Sequence, residues 1–262
     1  MCGSALSLSK FALRITENAA CDTMRSMPGV IGGTACLACC GAGALMAWGV
    51  RGRSSTLFAP SIYQGPASRR AIALTFDDGP SESTPLLLDV LAASRVTATF
   101  FQCGMNVARL PEIARQVASA HEIGNHSHTH PRFWFCQPAF IREELTRAQA
   151  TIENIAGASP SLFRAPFGVR WPGMREAQKR LRLMGVMWTV IGRDWKLNAP
   201  AITRRVLNTV RNGAIICLHD GRGLECGPDV SATIEAVRRL IPALKDEGYR
   251  FETVSQLICP TN

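Results

Sequence analysis

The segment His121–Pro131 reads HEIGNHSHTHP and holds four of the chain's five histidines: His121, His126, His128 and His130. Imidazole is the commonest protein ligand for zinc-like ions. His126 and His130 stand four apart, which puts both on one side of a helical turn. In an extended segment, His126, His128 and His130 would share a face instead. Gly124 and Pro131 favour a short turn or loop. A second group, Thr75-Phe76-Asp77-Asp78-Gly79-Pro80, sets two adjacent carboxylates where an apolar run ends. One carboxylate can hold a cation while the other takes a proton. Two histidines and an aspartate are a usual ligand set for a hydrolytic ion with open positions. Leu218-His219-Asp220 adds an imidazole at the end of another apolar run. Arg164–Gly168 (RAPFG) and Asp194-Trp195 add polar and aromatic candidates.

The elements that must position these residues alternate in type. Ala71–Phe76 (AIALTF) is a short apolar run bounded by turn residues, which predicts a buried parallel strand. Ser83–Ala93 reads as a helix and Val96–Phe101 as a strand. Pro111–Ala120 reads as a helix with proline at its start. Ile141–Ala156 is an amphipathic helix with Ile141, Leu145, Ala148 and Ile152 on one face. Gly185–Ile191 and Ala214–Leu218 read as strands, and Ser231–Glu247 as a helix ended by Gly248. Strands alternating with helices predict an α/β fold with a mainly parallel sheet or barrel.

Composition bounds the rest. The 262 residues are 47% hydrophobic and 19% charged, which suits one large globular domain. The formal net charge of +9 favours anionic neighbours. No Lys/Arg-rich run interleaves with aromatics, so nucleic acid is not an expected partner. Of the ten cysteines, Cys2, Cys21, Cys36, Cys39 and Cys40 fall in the first 40 residues. Their spacing excludes a zinc ribbon, and scattered cysteines read as small buried hydrophobes. A Cys217–Cys226 bridge is the alternative reading for that pair.

Met27–Val50 carries no charged side chain, with Arg25 before it and Arg51 and Arg53 after it. This predicts a signal peptide or a membrane anchor, with an A-x-A site at Ala42 and Ala44. A Gly/Ala-rich buried segment is the competing reading. The expected layout is an unstructured extension at 1–26, the signal or anchor at 27–50, a Ser/Pro/Gly-rich linker at 51–69 and a catalytic domain at 70–262. Met24-Arg25-Ser26-Met27 resembles a signal start, so translation is expected to begin at Met24. The expected location is the cell envelope or outside the cell, with membrane association through residues 27–50.

In this order the motifs resemble those of the polysaccharide deacetylase family with the NodB homology domain, carbohydrate esterase family four. The resemblance runs from about Arg70 to Ile258. It implies a distorted (β/α) barrel with fewer than eight strands. It implies one divalent metal, usually zinc (cobalt or nickel as substitutes), on Asp78, His126 and His130. Asp77 would be the general base and His219 the general acid. Arg164 would orient Asp77, and Asp194 would orient His219. Phe167 would offer its backbone N–H to the oxyanion, Trp195 would wall the acetyl pocket, and Leu218 is counted with the substrate-binding residues. His128 sits at a variable position and receives no role. Three residues depart from the pattern: Phe167 replaces a tyrosine, Ile191 an aspartate, and Cys217 a leucine. The implied activity removes N-acetyl groups from N-acetylhexosamine units of an acetylated glycan, peptidoglycan or chitin-like. Alternatives are an esterase on O-acetylated xylan, a deformylase or deacetylase of a lipid-linked sugar, and an inactive sugar-binding module.

Overall fold

The structure, a computed structural model, describes residues 29–259, with side chains from residue 40 onward. It has two compact units, one ending at Ala42 and one running Gly43–Asn262. Helix α1 (Gly29–Arg51) begins in the first and ends in the second. Among the described residues, no helix is long and apolar enough to cross a membrane. The Met24 start and the 1–26 extension lie outside the described residues.

The second unit is an α/β half-barrel. Its strands are β1 (Ser61–Ile62), β2 (Ala71–Gly79), β3 (Thr99–Gln102), β4 (Glu122–Asn125), β5 (Leu162–Phe163), β6 (Met184–Val186), β7 (Val190–Ile191), β8 (Ile215–His219) and β9 (Arg250–Phe251). Its helices are α2 (Thr84–Ala93), α3 (Gly104–Arg109), α4 (Pro111–Ala120), α5 (Pro138–Ala156), α6 (Met174–Leu181), α7 (Ala199–Thr209), α8 (Ser231–Asp246) and α9 (Val254–Ile258). The strand order is β1-β6-β5-β4-β3-β2-β8-β7, with β9 pairing the start of β2. Every pairing between these strands is parallel. This is the distorted, open barrel expected. The strand count exceeds the expected number because β1, β5, β7 and β9 are two-residue stretches.

The pleat of β2 explains its position. All nine of its residues are buried, as a central parallel strand requires. Ile72, Leu74 and Phe76 face the helices and join a core with Leu91, Ile202, Val206, Val237 and Leu240. Ala71 and Ala73 face inward, with Phe101, Ile215, Val254 and Leu257. Small alanines on that face leave room for Phe101 and for Val254 and Leu257 of α9. The reactive ends of β2, β4 and β8 therefore open at one edge, where parallel barrels carry their chemistry.

The expected linker at 51–69 belongs to this unit instead. Strand β1 lies within it and pairs with β6. The Gly65 N–H donates to Gly213 O at 2.8 Å. Buried Arg170 donates to Ser55 O at 2.6 Å and also to Gly52 O. Its Ser, Pro and Gly residues serve irregular packed turns rather than a free tether. The expected strand at Gly185–Ile191 divides into β6 and β7. Cys217 and Cys226 are both unbridged.

A chain truncated to start at Arg70 should be at least about 2 kcal/mol less stable than one starting at Gly43. The lost burial of Val50 and Ala59 and the partly buried Phe58 accounts for that much. Urea unfolding of the two chains measures the difference.

Candidate active site

Two adjacent strand residues ordinarily point to opposite faces. Asp77 and Asp78 avoid this through a register shift between Asp77 and Gly79 against β3. Asp78 takes a left-handed backbone, φ 73°, which re-aims its side chain. Both carboxylates then reach the same cleft. Gly79 is needed because a Cβ there would lie 2.2 Å from the Asp220 carboxylate, which is buried beneath it.

Asp78 meets the two histidines that follow β4. Its Oδ1 lies 3.3 Å from His126 Nε2 and 2.9 Å from His130 Nε2. Its Oδ2 accepts from the Gly223 N–H at 2.9 Å, and its carbonyl accepts from Asn106 Nδ2 at 2.8 Å. Burial disfavours the charged carboxylate, but the two imidazoles beside it hold it well below the usual carboxylate range. His126 Nδ1 sits 2.7 Å from Arg164 O, an acceptor only. That contact suits the tautomer of the neutral imidazole with its proton on Nδ1, the one that offers Nε2 to an ion. One donor atom from each of Asp78, His126 and His130 lies within 4.8 Å of the others. Asp78 Oδ1 and His126 Nε2, 3.3 Å apart, are spaced as two ligand atoms of one cation would be. The three residues therefore fit a divalent ion.

The segment carrying the histidines is a turn, not an extended strand. Ser127 (φ 67°) and His130 (φ 55°) are both left-handed. The turn is tied to α5 through buried Glu144, which accepts from the N–H groups of His128 and Thr129 at 3.0 and 2.8 Å. His128 consequently points away from Asp78, against Gly104 of α3. His121 ends α4, its Nδ1 accepting from the Ala98 N–H, and lies far along the sheet from the cleft.

Asp77 sits level with His219 across the β2–β8 pair. Fully buried Arg164 donates to Asp77 Oδ1 at 2.6 Å and to Thr75 Oγ1 at 2.7 Å. The Cys217 thiol lies 3.4 Å from Asp77 Oδ2. Asp194 Oδ1 takes His219 Nδ1 at 2.9 Å, while its Oδ2 accepts from the His219 N–H and from Thr233 Oγ1, each at 2.8 Å. Burial opposes a charge on His219, but Asp194, Asp78 and Asp77 overcome it and push the imidazole up to about 9. Trp195 stands edge-on to His219 at 5.2 Å. Phe167 (φ 57°) packs its ring 4.7 Å from His130, under the Arg132 guanidinium.

Leu218 is the one expected site residue that the structure does not bring to the cleft. It is fully buried among the helix-facing core residues. Alternation along β8 sends Cys217 and His219 inward and Leu218 outward. Cys217 occupies the place beside Asp77. Sequence reasoning also missed Glu144, although it falls three residues after Ile141 on the apolar face of α5, where a carboxylate needs partners.

Comparison with known proteins shows what this chain is similar to. A family profile described as polysaccharide deacetylase matches residues 64–186. A chitooligosaccharide deacetylase of Bradyrhizobium sp. (strain ANU 289) is 38% identical over 205 residues, 74% of this chain and 94% of the relative. A peptidoglycan-N-acetylglucosamine deacetylase of Bacillus cereus is 33% identical over 198 residues, 74% of this chain and 70% of that protein. A crystal structure of a peptidoglycan N-acetylglucosamine deacetylase bound to an N-oxidanyl-benzamide superposes with a TM-score of 0.72 at 32% identity, covering 77% of this chain and 94% of that one.

Arg164→Met should cost about 3–5 kcal/mol, because it leaves the Asp77 carboxylate buried without its cation. Arg164→Met combined with Asp77→Asn should cost less than the sum of the two. Denaturant unfolding of the three variants reads both outcomes.

Proposed function

The chain belongs to the polysaccharide deacetylase family, and on that premise we propose that it hydrolyses the acetamide of N-acetylglucosamine-type units in a glycan. Chitin-like oligosaccharide and peptidoglycan are the substrate classes, since the relatives named above act on these. The observation that carries the reading is the pairing of an Asp78–His126–His130 ligand set with an Asp77–His219 pair in one cleft. An inactive sugar-binding module has no need of all five side chains, each held by its own partners.

A divalent ion, zinc by ligand type, supplies a Lewis acid for the acetamide carbonyl and for water. The chain's residues do the rest. Asp77 takes the proton of the attacking water through Oδ2, because Arg164 occupies Oδ1. The Phe167 N–H donates to the oxyanion from a turn that packs against His130. His219 protonates the departing amine from Nε2, since Asp194 holds Nδ1. Amine expulsion without an acid would be slow, so this second titrating group is chemically required. Trp195 walls the cleft beside His219.

The same reading sets the enzyme outside the cytoplasm. Its support is the charge-free Met27–Val50 segment together with polymer substrates of the envelope class. The segment suits either a cleaved signal or a retained anchor. N-terminal sequencing of the native protein decides this: a chain beginning near Leu45 means cleavage, and an intact chain in the soluble cytoplasm overturns export.

Acetate release from N-acetylglucosamine oligomers, with and without chelator, tests the activity itself. His126→Ala should lose metal and activity together. Asp77→Asn should keep the metal yet lose turnover by about a hundredfold or more. Metal loss in Asp77→Asn would mean that the two aspartates have exchanged roles. The protonated His219 is present below its pKa of about 9 and is lost as pH rises through it, so the basic limb of the rate profile belongs to this residue. Asp194→Asn removes the main charge holding that proton, and the limb should move to lower pH.

A further inference from the structure

A second group of donors converges beside the Asp78 triad. Asp77, Cys217 and His219 each offer one ligand atom, and these atoms lie within 4.8 Å of one another. Each polar partner is anchored at its far atom. Asp77 Oδ1 is taken by Arg164, leaving Oδ2 toward the Cys217 thiol at 3.4 Å. His219 Nδ1 is taken by Asp194, leaving Nε2 toward the cleft. Anchoring the second atom of a carboxylate or an imidazole is how proteins orient metal ligands. Thiolate with imidazole and one carboxylate selects zinc and softer ions over magnesium or calcium. Ion–donor distances of about 2.0–2.3 Å place tetrahedral ligands close enough to need only small side-chain shifts here.

We propose that Asp77, Cys217 and His219 form a second, weaker site for a soft divalent ion, separate from the Asp78–His126–His130 site, and that filling it stops turnover. Coordination forms an ion–sulfur and an ion–nitrogen bond and breaks the S–H bond of Cys217 and the Nε2–H bond of His219; both protons pass to buffer, and no electron is transferred. Entry is through the cleft, since the His219 side chain retains 16% exposure. Buried Arg164 beside Asp77, and an ion on Asp78, both repel a second cation, which makes this site the weaker one. The loss of turnover rests on the roles proposed above for Asp77 and His219, because the second ion occupies the free atom of each. Binding itself does not depend on those roles.

Cadmium is the probe, added to full-length protein carrying one equivalent of zinc. Bound metal is counted after equilibrium dialysis, and the ultraviolet thiolate-to-cadmium band is recorded. Wild type should take up one more cadmium than Cys217→Ser, with the matching increment in the band. The cadmium concentration that halves its rate should be at least about tenfold lower than for Cys217→Ser, each variant measured against its own metal-replete rate. His219→Ala should lose the extra ion although the thiol remains, and it carries the test if Cys217→Ser does not fold. His126→Ala should keep the thiolate band while losing the zinc, which separates this site from the first. Equal uptake and equal bands in wild type and folded Cys217→Ser, or full extra uptake by His219→Ala, would overturn the second site. If the protein releases no acetate at all, the dialysis and absorption results still decide it.

Discussion

Arg164 holds the cleft together through both its side chain and its backbone. Its guanidinium is fully buried, and an unpaired charge there would cost several kcal/mol. The donors are spread over Asp77 Oδ1, Thr75 Oγ1, Val186 O and Met187 O, and the guanidinium lies 4.1 Å over Phe101. The side chain thus joins β2 to β6 across the barrel interior and sets the rotamer of the aspartate proposed as base. The backbone of the same residue donates to Asn125 O at 3.0 Å and accepts from His126 Nδ1. One buried cation therefore fixes the free oxygen of Asp77, the free nitrogen of His126 and the approach of β5 to β4.

The cleft is also a place of concentrated backbone strain. Asp78, Ser127, His130 and Phe167 all have positive φ, a conformation that non-glycine residues adopt at a cost of about 1–3 kcal/mol each. Each is held there by contacts that leave little alternative. Asn106 and Gly223 grip Asp78 from both its backbone and its carboxylate. The Ser127 hydroxyl accepts from the His130 N–H at 3.2 Å, closing the turn on itself. Strain of this kind aims three donors at one point and keeps them there.

Electrostatically the two halves of the cleft are pushed in opposite directions. Asp78 is held ionised against burial by two imidazoles, and His219 is held protonated against burial by Asp194. Opposed shifts of this kind keep a charged carboxylate and a protonated imidazole together in one small volume. Thr233 of α8 supports this from outside by donating to Asp194, so the helix layer contributes to the charge of the site.

The alternation of apolar runs with helix-period segments was legible in the residues alone, because pleat and helix repeat are local properties. The helices at Pro111–Ala120 and Ser231–Asp246 and the central strand starting at Ala71 lie where those patterns put them. The order of motifs also exposed Asp77, Asp78, His126, His130, Arg164, Asp194 and His219, since rare side chains cluster near strand ends in one dimension. What the chain could not reveal locally was side-chain direction at irregular backbone. The bulge that brings Asp78 beside Asp77 depends on pairing with β3, and the turn that removes His128 depends on Glu144 from another helix. The same limit misplaced Leu218: one residue along a strand exchanges the cleft for the core, and only packing against α7 and α8 decides which residue faces which. Residues 51–69 looked like a tether because composition reports turns, not partners. Their attachment rests on Arg170 and β6, more than a hundred residues away in sequence.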